Sequence, residues 1–171
     1  AQGGAQWGDV DHESQAFGLA TPGGMVSTTG IAGLTLGGGS QSWLIRKHGN
    51  AADNLLSAQV VAANGERVTA SDTENPDLFW ALRGAGGGNF GIVTRMDFLA
   101  HPVTDVTVFS VQWPWSAAAA VIDAWQRWAP HGPDELTSGL DLSAGNSLEN
   151  APVALVGGQV LGDRAETERL I

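Results

Sequence analysis

The chain has 171 residues, of which 43% are hydrophobic and 15% are charged, a balance typical of globular proteins and not of disordered ones. Its 18 acidic and 8 basic residues give a net charge of −10, which repels nucleic-acid phosphates, and it has no cysteine to form a disulfide or bind a metal. Because no apolar run is long enough to cross a bilayer, we expect a soluble protein, cytoplasmic or secreted, without nucleic-acid or membrane partners.

The first predicted element is a short helix from Trp7 to Phe17, which Gly18 ends. Residues 20–39 follow and are rich in glycine, which costs a helix about 1 kcal/mol per interior position relative to alanine. We therefore expect a loop system along a binding surface over residues 20–39, with no regular helix.

Apolar and β-branched residues predict strands at 55–62, 67–70 and 91–98. The first two are joined by Asn64-Gly65, the strongest short hairpin signal, so we expect them to pair in antiparallel fashion.

One helix is punctuated at both ends of its sequence. Asn75 is placed to cap it, Pro76 takes its first position and Gly84 follows its end. Its apolar face is predicted to contain Leu78, Phe79 and Leu82.

The composition changes near Pro102, where the glycine clusters end and the tryptophans begin, so we expect two domains, 1–102 and 103–171. Predicted in the second domain are strands at 106–113, 136–142 and 153–161 and a last helix that begins at Asp163. An amphipathic helix is predicted to start at Ser116 as its N-cap and to end before Pro130.

Two glycine clusters are candidates for a binding site. The first glycine stretch, residues 27–39, combines glycines with Ser and Thr hydroxyls, so that main-chain N–H groups can face an anionic group such as a phosphate. A set of tight turns packed against a sheet explains the same composition, and the residues alone leave both interpretations open.

The second glycine stretch, residues 83–91, contains a formal G-x-G-x-x-G pattern at Gly86, Gly88 and Gly91. A dinucleotide-binding Rossmann turn needs a strand before these glycines and a helix after them, whereas here a predicted helix precedes them and a strand follows. No Gly-Lys-Ser/Thr follows either, which excludes a P-loop. Nucleotide binding by either of these modes is therefore disfavoured.

Six motifs, in order and spacing, resemble the berberine-bridge-enzyme-like group of FAD-linked oxidases, which belongs to the vanillyl-alcohol-oxidase family. They are ATPGG at 20–24, TGIAGLTLGGG at 29–39, RKHG at 46–49, DNLL at 53–56, NPDLFWALRG at 75–84 and GGNFGIVT at 87–94. The resemblance covers about the first three-fifths of the chain and is weaker beyond it.

The resemblance implies an α+β fold, in which 1–102 is the second half of a PCMH-type FAD-binding domain and 103–171 begins an α+β substrate domain. It also implies FAD as the cofactor, held by main chain along both glycine stretches. The positions that match the cofactor-binding residues of the family are Thr28, Thr29, Gly30, Ile31, Ala32, Gly33, Leu34, Gly88, Gly91, Ile92 and Val93.

Three departures from the family pattern bear on the cofactor. Some relatives attach the flavin through a cysteine at the position of Val26, and valine cannot form that bond. The flavin-linked histidine of the family belongs to an Arg-Gly-Gly-His motif that we expect upstream of Ala1. The segment Ser40-Gln41-Ser42 is one residue longer than the family pattern and lacks its glycine.

The resemblance implies an FAD-dependent oxidase that takes a hydride from a carbohydrate, alcohol or natural-product substrate and passes electrons to oxygen. The alternative is a non-catalytic α+β binding or scaffolding module that keeps the fold without the flavin. No catalytic residue is assigned, and we expect residues 1–171 alone to be inactive and to bind FAD weakly or not at all. The four histidines have no metal-ligand spacing, so we expect no metal and place each in a surface or loop position: His12, His48, His101 and His131.

Overall fold

A computed structural model describes residues 1–40, 42–103, 105–144 and 151–171. Contacts within the chain divide it into two compact units, Ala1–Val103 and Thr104–Ile171, which we call the N-terminal and C-terminal units. Their assignment to an FAD-binding domain and a substrate domain stays a prediction.

The N-terminal unit combines four helices with five strands in its described part. The helices are α1 (Trp7–Gln15), α2 (Ile31–Leu36), α3 (Ile45–His48) and α4 (Pro76–Leu82). The strands are β1 (Leu19–Ala20), β2 (Leu55–Val61), β3 (Arg67–Ser71), β4 (Ile92–Phe98) and β5 (His101–Pro102). An antiparallel sheet has the order β3–β2–β4, and β1 pairs with β5.

The predicted hairpin is confirmed, since β2 pairs with β3 and Gly65 in the turn between them has a φ of +82°. The main core of this unit lies between the sheet and helices α2 and α4. Its buried residues are Leu36, Leu55, Ala58, Val60, Ala70, Phe79, Leu82, Val93 and Met96. The predicted apolar face of α4 is thereby confirmed, and burial of this face fixes the helix that precedes the second glycine stretch.

The expectation of a loop without a helix over residues 20–39 is wrong, because α2 lies inside it with Gly33 in its interior. Ile31, Thr35 and Leu36 are buried on one side of this helix. Burying an aliphatic side chain contributes about 1.5–3 kcal/mol, which exceeds the roughly 1 kcal/mol that one interior glycine costs. Packing therefore overrides the low helix propensity of this segment.

Asn75 takes the N-cap position of α4 as expected, yet the way it caps is not the one predicted. Its backbone is left-handed, with a φ of 49°, and its side chain makes no capping bond to the helix. The Asn75 side-chain amide instead donates to the Thr69 carbonyl at 2.7 Å and ties the helix to β3.

The C-terminal unit is a sheet with helices on one of its faces. Its strands are β6 (Val106–Pro114), β7 (Leu136–Ser143) and β8 (Val153–Leu161), and its helices are α5 (Ala118–Trp128) and α6 (Arg164–Leu170). The sheet is antiparallel with the order β6–β8–β7. Trp125 and Trp128 pack against its buried core, and Asp163 caps α6 by accepting from the Glu166 N–H at 2.8 Å.

Ser116 does not cap α5. It lies within a 3₁₀ turn, Trp115–Ala117, that leads into the helix, and Ala117 takes the N-cap position. The amphipathic helix itself is confirmed. Among the described residues, no helix is long and apolar enough to cross a membrane.

Candidate functional site

Glycines in a folded chain have three physical explanations, which are a positive φ, a neighbour that leaves no room for a Cβ, or the close approach of a ligand. Gly30 and Gly33 of the first glycine stretch have ordinary φ angles, and no atom lies within 4 Å of where a Cβ would stand at either residue. Neither a positive φ nor a crowded Cβ position therefore explains glycine at these two residues. This open, bare main chain is the feature that a close-lying ligand requires.

The start of α2 exposes this main chain because its side chains are turned inward. Gly30 is the N-cap, with an extended backbone (φ −65°, ψ 131°), and the side chain of Ile31 is fully buried against Trp7 and Ala51. Gly33 is exposed in the first turn, where helix amides lack a carbonyl partner within their own helix. The helix therefore presents N–H groups outward and keeps its apolar side chains in the core.

The two glycine stretches lie next to each other at the far end of α2. The Gly86 N–H donates to the carbonyl of Leu36 at 2.7 Å, so the end of the helix is bonded to the second stretch. Leu36 also packs in the same buried cluster as Phe79 and Leu82 of α4, the helix that leads into that stretch.

In the second stretch most glycines have a structural explanation. Gly84, Gly86, Gly88 and Gly91 all have positive φ angles, between +81° and +126°. A Cβ on Gly91 would also stand 2.4 Å from the Val61 carbonyl oxygen of β2. The G-x-G-x-x-G pattern is therefore accounted for by the turn between α4 and β4, and this order of helix before strand confirms that it is no Rossmann turn.

The predicted cofactor residues of both stretches differ in what they can offer a ligand. The side chains of Ile31 and Val93 are buried in the core, so only their main chain is available. Thr28 is exposed and Thr29 half-buried beside the start of α2. Ile92 is 71% exposed, which makes it the predicted residue with the largest uncovered apolar side chain.

Two hydroxyls near the first stretch have no hydrogen-bond partner among the described residues although they are buried. Thr21 is 7% exposed and lies directly before the Pro22-Gly23-Gly24 turn, and Thr35 is fully buried in α2. A buried polar group without a partner costs roughly 1–3 kcal/mol. Thr35 faces the core, so the feature that fits the close approach of a nucleotide cofactor is the open main chain at Gly30 and Gly33, where a Cβ would meet no atom.

A cavity of about 480 Å³ opens beside the second stretch. It is lined by Asp53, Trp80, Ala81, Arg83, Gly84 and Ala85. The Trp80 ring is 75% exposed there, while the Arg83 guanidinium stacks over the Phe79 ring at 4.3 Å. This wall offers an aromatic face and a cation next to the glycine turn.

The sequence did not indicate that two of the four histidines are in contact. The rings of His48 and His101 stack with centroids 3.8 Å apart, and the pKa of His101 is lowered by burial. Nε2 of His101 lies 2.6 Å from Oδ1 of the buried Asn54, whose amide donates to the His48 and Asn50 carbonyls at 2.8 Å each. This histidine cluster holds the loop that follows the first stretch, where the Ala51 and Ala52 N–H groups donate to the Gly39 and Gly38 carbonyls.

The sequence signal nearest to this contact is the Asp53-Asn54 pair, which begins the DNLL motif before β2. Oδ2 of Asp53 accepts the Asn50 N–H at 2.8 Å, so Asp53 caps a backbone turn at this point. Among the described residues, no group of three or more His, Asp or Glu side chains could hold a metal ion. Gln41 of the irregular Ser40–Ser42 segment lies outside the described residues.

Comparisons with known proteins agree with these features. A family model for an FAD binding domain matches residues 1–71, which include the first glycine stretch. An uncharacterised FAD-linked oxidoreductase of Bacillus subtilis (strain 168) is 39% identical over 176 residues, covering 99% of this chain and 38% of that protein. Xylooligosaccharide oxidase from Thermothelomyces thermophilus is 45% identical over 113 residues, covering 63% of this chain and 22% of that protein.

Solved structures extend the similarity to both units. The wild-type BBE-like 1 protein of Physcomitrella patens has a TM-score of 0.88 at 34% identity, and the match covers 99% of this chain and 36% of that one. The chain thus spans between a fifth and two-fifths of the length of these relatives.

Proposed function

Because the chain belongs to the berberine-bridge-enzyme-like group of FAD-linked oxidoreductases and FAD is its cofactor, we propose that the whole protein is an oxidase of small molecules. In this proposal a hydride leaves a carbohydrate, alcohol or natural-product substrate and the electrons pass to molecular oxygen. The non-catalytic alternative is not carried further, since the relatives are named as oxidoreductases and oxidases.

The observation that carries the proposal is the open main chain at Gly30 and Gly33. It lies within the segment that the FAD-binding family model matches, and neither its φ angles nor its neighbours require glycine. Gly88 and Gly91 provide main chain from the second stretch, which the Gly86–Leu36 hydrogen bond holds beside α2, and Val93 of β4 follows directly. We therefore propose that both stretches hold the cofactor through their backbone.

Bound FAD supplies the two-electron acceptor that the side chains of the chain lack. The chain itself performs three tasks in this proposal. The Ala32 and Gly33 amides in the first turn of α2 donate to anionic or carbonyl oxygens. The buried side chains of Ile31 and Val93 keep the main chain rigid, and the exposed Ile92 excludes water from the cofactor.

Attachment of the flavin through a thiolate is not available to these 171 residues, because they contain no cysteine. The position that carries the cysteine in some relatives is Val26, which is 59% exposed. An exposed valine makes no bond to a flavin but can pack against one, so we propose non-thiol retention of FAD by this segment.

Carbohydrate is the substrate class that we favour within the proposal. The xylooligosaccharide oxidase that shares 45% identity over 113 residues is named for a carbohydrate substrate.

Anaerobic titration of the whole purified protein tests the proposal. We expect a yellow protein whose flavin absorbance near about 450 nm bleaches with oligosaccharides and returns on admission of air with release of hydrogen peroxide. Gly33→Leu should lose the flavin, and Ala63→Leu, which adds the same side chain to the exposed β2–β3 loop, should retain it.

Different failures of this experiment have different meanings. A colourless whole protein that does not bind added FAD contradicts the proposal and supports the non-catalytic module instead. Flavin that is bleached by alcohols or other small molecules and by no sugar contradicts the carbohydrate class alone. A flavin that stays reduced after air is admitted contradicts oxygen as the acceptor.

A further inference from the structure

Four glycines of the N-terminal unit have neither a positive φ nor any atom within 4 Å of a Cβ position. They are Gly4, Gly30, Gly33 and Gly87. Gly30, Gly33 and Gly87 lie in the two glycine stretches that are proposed to hold FAD. Gly4 lies outside both of them, and the fold gives it no more reason to be glycine than it gives the other three.

Gly4 occupies a tight turn that is closed by a hydrogen bond from the Ala5 N–H to the Gln2 carbonyl at 3.0 Å. The φ angle of Gly4 lies outside the left-handed range, so the turn can be made by any residue at this position. Its neighbour Gly3 is different, because a Cβ there would stand 2.0 Å from the Val93 carbonyl oxygen. Packing on β4 explains Gly3 and leaves Gly4 unexplained.

The Gln2–Ala5 turn is bonded to the start of α2 and to β4, the strand that follows the second glycine stretch. On one side, the Ile31 N–H at the start of α2 donates to the Ala5 carbonyl at 3.0 Å. On the other side, the Gly3 N–H donates to the Thr94 carbonyl of β4 at 2.9 Å. The two neighbours of Gly4 are therefore bonded to Ile31, which the proposed function assigns to the cofactor, and to Thr94, which directly follows the assigned Val93.

We propose that the Gln2–Ala5 turn is a third cofactor-contacting segment and that Gly4 is the point at which its main chain meets FAD. This inference rests on the proposed function, since it needs FAD at the two glycine stretches. Residues 1–71, which match the FAD-binding family model, include this turn. Bare main chain at Gly4 permits an approach that any side chain blocks, which is the same physical reason given for Gly30 and Gly33.

The test compares FAD affinity with the stability of the apoprotein in the whole protein. Variants Gly4→Ala and Gly4→Leu are titrated with FAD by flavin fluorescence, and the 450 nm to 280 nm absorbance ratio gives the occupancy of the purified protein. We expect the FAD dissociation constant of Gly4→Leu to rise about tenfold or more, with a smaller rise for Gly4→Ala, because the added atoms overfill a close contact.

Thermal unfolding of the apoprotein supplies the readout that separates a ligand contact from a structural role. Since Gly4 has an ordinary φ and open space, the melting temperature of both apoprotein variants should be no lower than that of the wild type. Ala63→Leu is the control and should leave both FAD affinity and melting temperature unchanged.

Two results overturn the inference. An FAD dissociation constant within about twofold of the wild type for Gly4→Leu means that the turn is a free surface loop. A lower apoprotein melting temperature for Gly4→Ala means that Gly4 has a structural role. Failure of the wild-type protein itself to bind FAD is a separate outcome that contradicts the proposed function as well.

Discussion

In the first glycine stretch, Gly30 and Gly33 combine ordinary φ angles with open space, whereas Gly88 and Gly91 of the second stretch have φ angles of +81° and +126°. The two stretches look alike in composition, yet the fold requires glycine mainly in the second. A residue that the fold does not require is better evidence for a ligand than one that it does. The comparison therefore places more weight on the first stretch, although the second carries the better-known motif.

The largest expected effect is that of Gly91→Ala on folding. The new Cβ meets the Val61 carbonyl oxygen and takes a φ that alanine rarely adopts, so we expect the free energy of unfolding to fall by about 3 kcal/mol or more. Urea unfolding of the apoprotein measures this loss, with Gly87→Ala as the control that should stay within about 0.5 kcal/mol of wild type. A Gly91→Ala apoprotein of wild-type stability that has lost FAD binding would show that the ligand, and not the fold, requires glycine at this position.

A smaller effect is expected at Gly88, where only the backbone angle requires glycine. Gly88→Ala should cost about 1–2 kcal/mol of unfolding free energy, because a left-handed φ of +81° strains a residue with a Cβ. Gly88→Asn should cost less, since asparagine tolerates this region better. Equal losses for both variants would show that contacts, and not φ, determine the residue at this position.

Substitution of Gly33 by alanine should change the stability of the apoprotein and its FAD affinity in opposite directions. Alanine in place of an interior helix glycine with an ordinary φ stabilises a helix by about 0.5–1 kcal/mol, so the Gly33→Ala apoprotein should be more resistant to urea. FAD affinity should nevertheless fall about tenfold, because the methyl group occupies the space proposed for the cofactor. A variant that gains stability and keeps its FAD affinity contradicts the proposed cofactor contact.

Elements bounded by turn residues or helix-end residues could be predicted from the sequence. Asn64-Gly65 fixed the β2–β3 hairpin, and Pro76 with Gly84 bounded α4. Helix α2 could not be predicted in this way, because its stability comes from the burial of Ile31 and Leu36 against residues distant in sequence. Helix propensity accounts for the free energy that Gly33 costs the helix, but not for the burial of Ile31 and Leu36 that offsets this cost.

The candidate site, like the fold, was predictable where local sequence signals determine it and not where distant contacts do. Glycine-rich composition and motif order indicated which stretches to examine, but the reason for each glycine depends on partners such as the Val61 carbonyl beside Gly91. Contacts between distant residues were likewise invisible, since His101 and Asn54 are 47 positions apart and no local pattern links them.

The smallest predicted effect concerns this histidine cluster, which supports the end of the first stretch and has no counterpart described for the second. Burial lowers the pKa of His101 from its ordinary value of 6.5, so the unfolded chain binds a proton at a higher pH than the folded one. Stability from the neutral ring is therefore present above pH 6.5 and declines as the pH falls below that value toward the lower pKa of the folded state.

Apoprotein unfolding measured from pH 7.5 to about 5 tests this prediction against His101→Gln, which can still donate to Oδ1 of Asn54 but takes up no proton. The wild-type protein should lose stability on acidification more steeply than the variant, and the difference between the two curves isolates the contribution of His101. NMR titration of the His101 ring in the folded protein should give a pKa below 6.5. Stability curves that run parallel for the two proteins, or a His101 pKa above that value, would contradict this prediction. The histidine cluster would then not distinguish the first glycine stretch from the second.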